Sequence, residues 1–298
     1  MNSNAHVDAM LVQWGDRLFY PGNRRTASST PKLKDPFIRA RAAEIRARIA
    51  GTVRRAPQVM VKVTGGGRGM LAIAAHFRYI TKNGRLDVED ERGQSGRGKD
   101  AVHDLVDDWR WGGTLIEDVS PRREAFNIML SMPKGTDPVA VLRSAREFAQ
   151  AELADHKYVM VLHDHQANPH VHLSVRAESK HGKRLNPRRA DLQRWRETFA
   201  EKLRGWGVEA EASRQAVRGP TRRFEPLWRL KAAEDGRLRV ARSKVAPARG
   251  DALPRSNAVQ AWREIEASLA SSDRSHDRGL ARSIAAHMGR SHQRNLER

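Results

Sequence analysis

The chain has 298 residues, no cysteine, and 55 Lys+Arg against 35 Asp+Glu, a formal net charge of +20. Without cysteine it can form no disulfide, thiolate zinc site or thiol nucleophile, and no apolar run is long enough to span a bilayer. Arginine, the residue suited to bidentate phosphate contact, dominates the excess and favours nucleic acid over a membrane surface as partner.

In chain order, residues 1–56 read as a loosely packed basic leader. Turn signals lie at Pro21-Gly22-Asn23 and Ser28-Ser29-Thr30-Pro31. Ile38 to Ile49 reads as a helix rich in Arg and Ala, either laid on a partner or solvated. No signal-peptide core precedes it, so a soluble cytoplasmic protein is expected. Gln58 to Val63 is a strand, followed by the glycine-rich run Thr64 to Gly69 and a helix from Met70 to Lys82 that ends at Asn83-Gly84. The loop lacks the Gly-Lys-Ser/Thr of a P-loop. It reads as a flexible approach to the helix, close to a DNA backbone, with Arg68 and Arg78 as candidate DNA contacts.

Residues 85–99 are polar and glycine-rich and are expected to form a mobile loop. Asp100 to Trp111 is a helix with an acidic face of Asp104, Asp107 and Asp108. Arg123 to Pro133 is a strand. Asp137 caps the next helix, with Pro138 at its first position, and this helix runs to Leu153. Asp191 to Trp206 carries Leu192, Trp195, Phe199 and Leu203 at helical spacing. The order β-α-(α)-β-α-β-β-α predicts an α+β domain over 57–218, a mainly antiparallel sheet layered with helices. Residues 219–298, with 17 Lys+Arg against 9 Asp+Glu, read as a basic extension, partly helical as at Ala258 to Ala270 and otherwise disordered.

Between the last two helices lies the most informative stretch, Val159 to Val175, which holds four histidines within ten residues. It reads as strand, turn at Asn168-Pro169, strand. Alternation puts His170 and His172 on one face, and a hairpin brings His163 back beside them. Three imidazoles from paired strands make a divalent-metal site with open coordination positions, the layout of a catalytic rather than a closed structural centre. Of three tyrosines, Tyr20, Tyr79 and Tyr158, Tyr79 is the best placed to be a nucleophile, although position alone favours a packing aromatic. A phenol needs activation to attack a phosphate.

The run His163 to His172, with Asn-Pro-His-Val-His, resembles the third motif of conjugative relaxases (mobilisation nucleases) of the HUH endonuclease superfamily. Phe77-Arg78-Tyr79-Ile80 with Asn83-Gly84 resembles their nucleophile motif, and Ile128 to Gly135 their second motif. Order and separations are similar to the MOBP branch over about 57–215. The resemblance implies an HUH, palm-like fold. It implies nicking and rejoining of one DNA strand at an origin of transfer through a 5′-phosphotyrosine on Tyr79, with His163, His170 and His172 as metal ligands and Ser131 near the DNA.

Mg²⁺ or Mn²⁺ follows from the family, whereas three imidazoles suit Zn²⁺, Mn²⁺ or Ni²⁺. The implied partners are single-stranded and duplex DNA, accessory mobilisation proteins and a coupling protein. The implied setting is the bacterial cytoplasm, with export alongside DNA. Where many relatives carry an acidic residue two after the first His, this chain has His165. The carboxylate that would orient an imidazole is then Asp164, Glu124 or Asp108, and His165 is an extra base or ligand. Two other functions fit: a rolling-circle replication initiator, or a non-enzymatic nucleic-acid binder with a structural metal.

Overall fold

A computed structural model describes residues 3–20, 36–166, 168–213, 217, 236 and 252–296. The turn signals at 21–23 and 28–31, and most of 219–251, lie outside the described residues. The chain divides into two compact units, 56–212 on the one hand, and 1–55 with 213–298 on the other.

The 56–212 unit is built on six antiparallel strands: β1 (Met60–Gly65), β2 (Val88–Asp90), β3 (Ser95–Gly96), β4 (Ala125–Ser131), β5 (His156–His163) and β6 (His170–Ser179), in spatial order β1-β4-β6-β5-β2-β3. Period-two alternation gives the sheet two apolar faces. Phe126, Ile128 and Leu130 of β4, Val171, Leu173 and Val175 of β6, and Met160 of β5 pack with the helices Pro138–Leu153 and Arg189–Gly205, through Phe148, Trp195 and Phe199. On the opposite face Ala125, Val159 and Val161 meet the helices Met70–Ile80 and Lys99–Trp111, through Ile73, Phe77, Ile80 and Trp109. In chain order, after two N-terminal helices α1 (Ser3–Phe19) and α2 (Pro36–Arg54), these four are α3 (70–80), α4 (99–111), α5 (138–153) and α6 (189–205). The architecture is α+β, an open antiparallel sheet layered with helices, as the sequence predicts.

Local chemistry accounts for the helix ends. The Asp137 carboxylate accepts from the backbone N–H of Val139 and Ala140 at 3.0 and 3.2 Å, with Pro138 following. Helix α3 closes through three residues with positive φ, Lys82, Asn83 and Gly84.

Two expectations for this unit change. The polar stretch 85–99 is not a loop: β2 and β3 pair as a hairpin, and β2 adds to β5 through Glu89↔Met160 and Asp90↔Val159. Its turn is closed by the Asp90 side chain, which accepts from Arg92 and Gln94 N–H, and Glu89 is clamped by Arg146 at 2.7 Å. Three-residue strands are too short to show an alternation signal. The glycine-rich loop is also packed rather than flexible. A Cβ on Gly66 would lie 2.2 Å from the Ala125 carbonyl oxygen, and one on Gly69, at φ +96°, would lie 2.3 Å from that of Asp118. The N–H groups of Met70 and Leu71 at the start of α3 donate to the Glu117 and Asp118 carbonyls, so these two donors are already taken.

The second unit contains α1, α2 and the helices α7 (252–270) and α8 (275–296). Leu11, Leu18, Phe19, Ile45, Ile49, Trp262, Ile265, Leu269 and Ile284 form one apolar core among the described residues. Residues read from sequence as a loose leader and a separate extension thus lie in one compact unit. The apolar residues of α2, α7 and α8 are interspersed with arginines, so none of these segments alone announces a core. Arg46 cross-links the ends of the chain, donating to Asp277 at 2.8 Å and pairing with Asp8 at 2.7 Å.

Candidate metal centre and nucleophile

Register decides the site. β5 and β6 pair His163 directly with His170, and β4 sets Ser131 on the other side of His170. Two residues along, His172 stands between Met129 and Val161. All of these share the face that α3 and α4 partly cover. The ring centroids of His163 and His172 are 4.6 Å apart, those of His170 and His172 5.0 Å, and those of His163 and His170 5.1 Å. Each of the three offers a ring nitrogen, and those nitrogens lie within 4.8 Å of one another.

Hydrogen bonds fix which nitrogens are free. His163 Nε2 is 2.6 Å from the Ile80 carbonyl oxygen and His170 Nδ1 is 2.9 Å from that of Asn168. A carbonyl only accepts, so these nitrogens carry the protons, and the lone pairs sit on His163 Nδ1 and His170 Nε2. In His172 the Nδ1 is enclosed and without a hydrogen-bond partner. Desolvation, reinforced by the neighbouring His163, His170 and His76, pushes the His172 pKa down to about 3. Burial likewise lowers that of His163, against the opposing bond to Ile80. Three imidazoles with ring nitrogens gathered this closely are the donor set a borderline divalent metal requires, so these residues fit such an ion.

Tyr79 lies in the last turn of α3, and its side chain is 70% exposed rather than packed. One turn earlier, His76 stacks on it, with centroids 6.1 Å apart and planes 29° apart. His76 and His172 in turn lie edge to face, with centroids 6.4 Å apart. His76 is thus a ring neighbour of both the phenol and the histidine cluster. The sequence reading gave it no role, and its only signal was the i, i+3 spacing to Tyr79.

Of the remaining candidates, Ser131, Asp164 and His165 lie beside the histidines and the others lie farther off. Arg78 is exposed at the Tyr79 end of α3, and Arg68 is exposed beyond the other end, about 15 Å away at 1.5 Å per residue. Ser131 is buried, and its hydroxyl lies 3.4 Å from the Pro169 carbonyl oxygen, tethering the β5–β6 turn. Asp164 and His165 are exposed past the end of β5, with the His165 ring 5.2 Å from His163. Glu124 precedes β4, one strand length or about 20 Å from Ser131, where it is held by Ser120, Arg122 and Arg184. Asp108 pairs with Lys157 at 2.6 Å. The partners of His163 and His170 are therefore backbone carbonyls, at a helix end and in a turn, instead of any of the three carboxylates considered.

The family model for relaxases described as MobA/VirD2-like, nuclease domain, matches residues 79–208, from Tyr79 through the three histidines to the end of α6. Over these residues the chain is similar to that nuclease domain. A solved Staphylococcus aureus chain, described as "Molecular Basis of Vancomycin Resistance Transfer in Staphylococcus aureus", aligns over 53% of this chain and 99% of its own, at 14% identity and a TM-score of 0.33. Comparison with curated proteins finds no match. No helix among the described residues is long and apolar enough to cross a membrane. The match opens on Tyr79 itself, so β1 and nearly all of α3 precede it.

Proposed function

We propose that the protein is a metal-dependent relaxase that nicks and rejoins one DNA strand at an origin of transfer, through a covalent link to Tyr79. The observation that carries this reading is the line Tyr79–His76–His172, which sets an exposed phenol beside three converging imidazoles. In the reaction the Tyr79 oxygen forms a bond to phosphorus while the bond from phosphorus to the 3′ oxygen breaks. The leaving strand ends in a 3′-hydroxyl, the other strand end stays on the enzyme as a 5′-phosphotyrosine, and the phenol proton passes to solvent at the exposed ring. Attack by the 3′-hydroxyl in the reverse direction reseals the strand. His163, His170 and His172 would hold the ion, with Mn²⁺, Zn²⁺ or Ni²⁺ favoured over Mg²⁺ by an all-nitrogen donor set. When bound, such an ion stabilises negative charge on the non-bridging phosphate oxygens.

The chain's own groups do the rest. Lys82, close enough for its charge to bear on His163, and Arg78 supply phosphate contacts on either side of Tyr79 in sequence. The overall charge of +20 provides salt-dependent affinity for the strand. The partners on this reading are the transfer-origin DNA, accessory mobilisation proteins and a coupling protein, in the bacterial cytoplasm. The test is incubation with labelled single-stranded oligonucleotides tiling the DNA that flanks its own gene, in the presence of Mn²⁺. A covalent adduct surviving denaturing electrophoresis is expected from the parent chain and none from Tyr79→Phe. An adduct formed equally by Tyr79→Phe excludes the assignment.

A further inference from the structure

Metal-bound histidines almost always donate their second ring N–H to an acceptor, which fixes the tautomer and the ring orientation. His163 has Ile80 and His170 has Asn168 for this purpose. His172 has no such acceptor, since its Nδ1 is buried and unpartnered. One other enclosed, unpartnered nitrogen belongs to the ring beside it, the Nε2 of His76. The two rings meet edge to face at 76° with centroids 6.4 Å apart, so the two nitrogens reach hydrogen-bond distance once the side chains close up by about an ångström and the rings turn toward each other. A buried polar atom without a partner costs about 1–3 kcal/mol, and here two such atoms are complementary once His172 carries its proton on Nδ1.

From this pairing we infer that His76 is a positioning residue for the metal centre: its Nε2 accepts the Nδ1–H of His172, directing the His172 Nε2 lone pair at the ion. The inference rests on the reading of the three histidines as metal ligands. It gives an imidazole the orienting work for which the sequence suggested a carboxylate. It also explains why the residue sits on α3: the same ring that holds His172 stacks on Tyr79, so ligand orientation and nucleophile placement share one side chain. No proton is transferred and no charge changes; one neutral N–H···N bond forms.

The experiment is Mn²⁺ binding to the full chain without DNA, followed by loss of the free-ion paramagnetic resonance signal. Parent, His170→Ala, His76→Phe and His76→Gln are compared, with circular dichroism as the check on folding. His76→Phe keeps an aromatic ring against Tyr79 but removes the acceptor, and binding should weaken by about 10- to 100-fold. His76→Gln, whose carbonyl oxygen can accept, should recover most of that loss. In the parent, nitrogen resonances should report His172 protonated on Nδ1. Mn²⁺ affinity unchanged in His76→Phe, with His170→Ala impaired, overturns the role of His76 while keeping the triad. Equal binding by parent and His170→Ala overturns the triad and the inference together.

Discussion

The ring of His163 donates from Nε2 to the carbonyl oxygen of Ile80 at 2.6 Å, so a strand of the histidine cluster is bonded directly to the helix turn that carries Tyr79. The last carbonyls of a helix have no partner within it, and here one of them is used to lock α3 onto β5. The other carbonyls of that turn are taken by Thr81, Lys82 and Asn83 N–H groups. The position of Tyr79 relative to the three imidazoles is therefore set by main-chain geometry, while its own side chain stays exposed.

This relationship separates two histidine substitutions that would otherwise look alike. His170→Ala removes a nitrogen donor and leaves α3 anchored. His163→Ala removes a donor and also strands the Ile80 carbonyl, at a cost of about 1–3 kcal/mol. Both should abolish metal-dependent cleavage, but in metal-free urea titrations His163→Ala should be the less stable variant. Equal stabilities would mean that the His163–Ile80 bond contributes nothing net.

Tyr79→Phe should leave stability and single-strand binding almost unchanged, because a 70% exposed side chain supports no core. Covalent adduct formation should fall below detection. A large drop in thermal midpoint would instead identify Tyr79 as a packing residue, the alternative that position in the sequence favours.

Much of this centre was legible in the sequence because strand periodicity is simple. His170 and His172 had to share a face, and a hairpin at Asn168-Pro169 had to return His163 to them; the register His163↔His170 is that geometry. Asp137-Pro138 marked the start of α5 for equally local reasons. What stayed hidden involves either the backbone or distance along the chain. Ile80 and Asn168 act through carbonyls, which every residue type possesses, so a search for an orienting carboxylate looked in the wrong chemical class. His76 meets His172 across nearly a hundred residues of chain. The α1–α2 and α7–α8 stripes share a core that neither pair could fill alone.

The turn that ends α3 should be sensitive to a single methyl group. Gly84 has φ +81°, and a Cβ there would lie 2.4 Å from the Gly98 carbonyl carbon, where the Gly98 N–H also donates to the Gly84 carbonyl at 3.0 Å. Gly84→Ala should cost at least about 1 kcal/mol from backbone strain alone, measured by chemical denaturation. Displacement of the 80–84 turn should also lower the nicking rate. Asn83→Gly, at a neighbouring left-handed position (φ +58°), should be tolerated.

Acid should weaken the metal-free fold through His172. Its pKa is about 3 in the folded chain, against about 6.5 when unfolded. Below pH 6.5 the unfolded chain therefore takes up a proton that the folded chain does not. This contribution to stability is complete above about pH 6.5 and is lost progressively as pH falls toward 3. Urea midpoints at pH 7.5 and pH 5 should differ less in His172→Gln than in the parent. An identical difference in the two proteins would show that His172 titrates normally.

The unit containing both chain ends makes a separate prediction. Trp262 is almost wholly buried, meets Phe19 edge to face at 6.2 Å, and donates its indole N–H to the Val217 carbonyl at 2.9 Å. Trp262→Ala should cost about 3–5 kcal/mol, and because the core is shared, that loss should reach α1 and α2 as well as α7. Hydrogen exchange of backbone amides reads this directly: protection should fall in residues 4–19 and 36–54 together with 257–270. The 56–212 unit has its own two apolar layers, so its α5 and α6 amides should keep their protection. If α1 and α2 stay protected in Trp262→Ala, the helices at the two chain ends are stabilised separately, and the leader is a module in its own right.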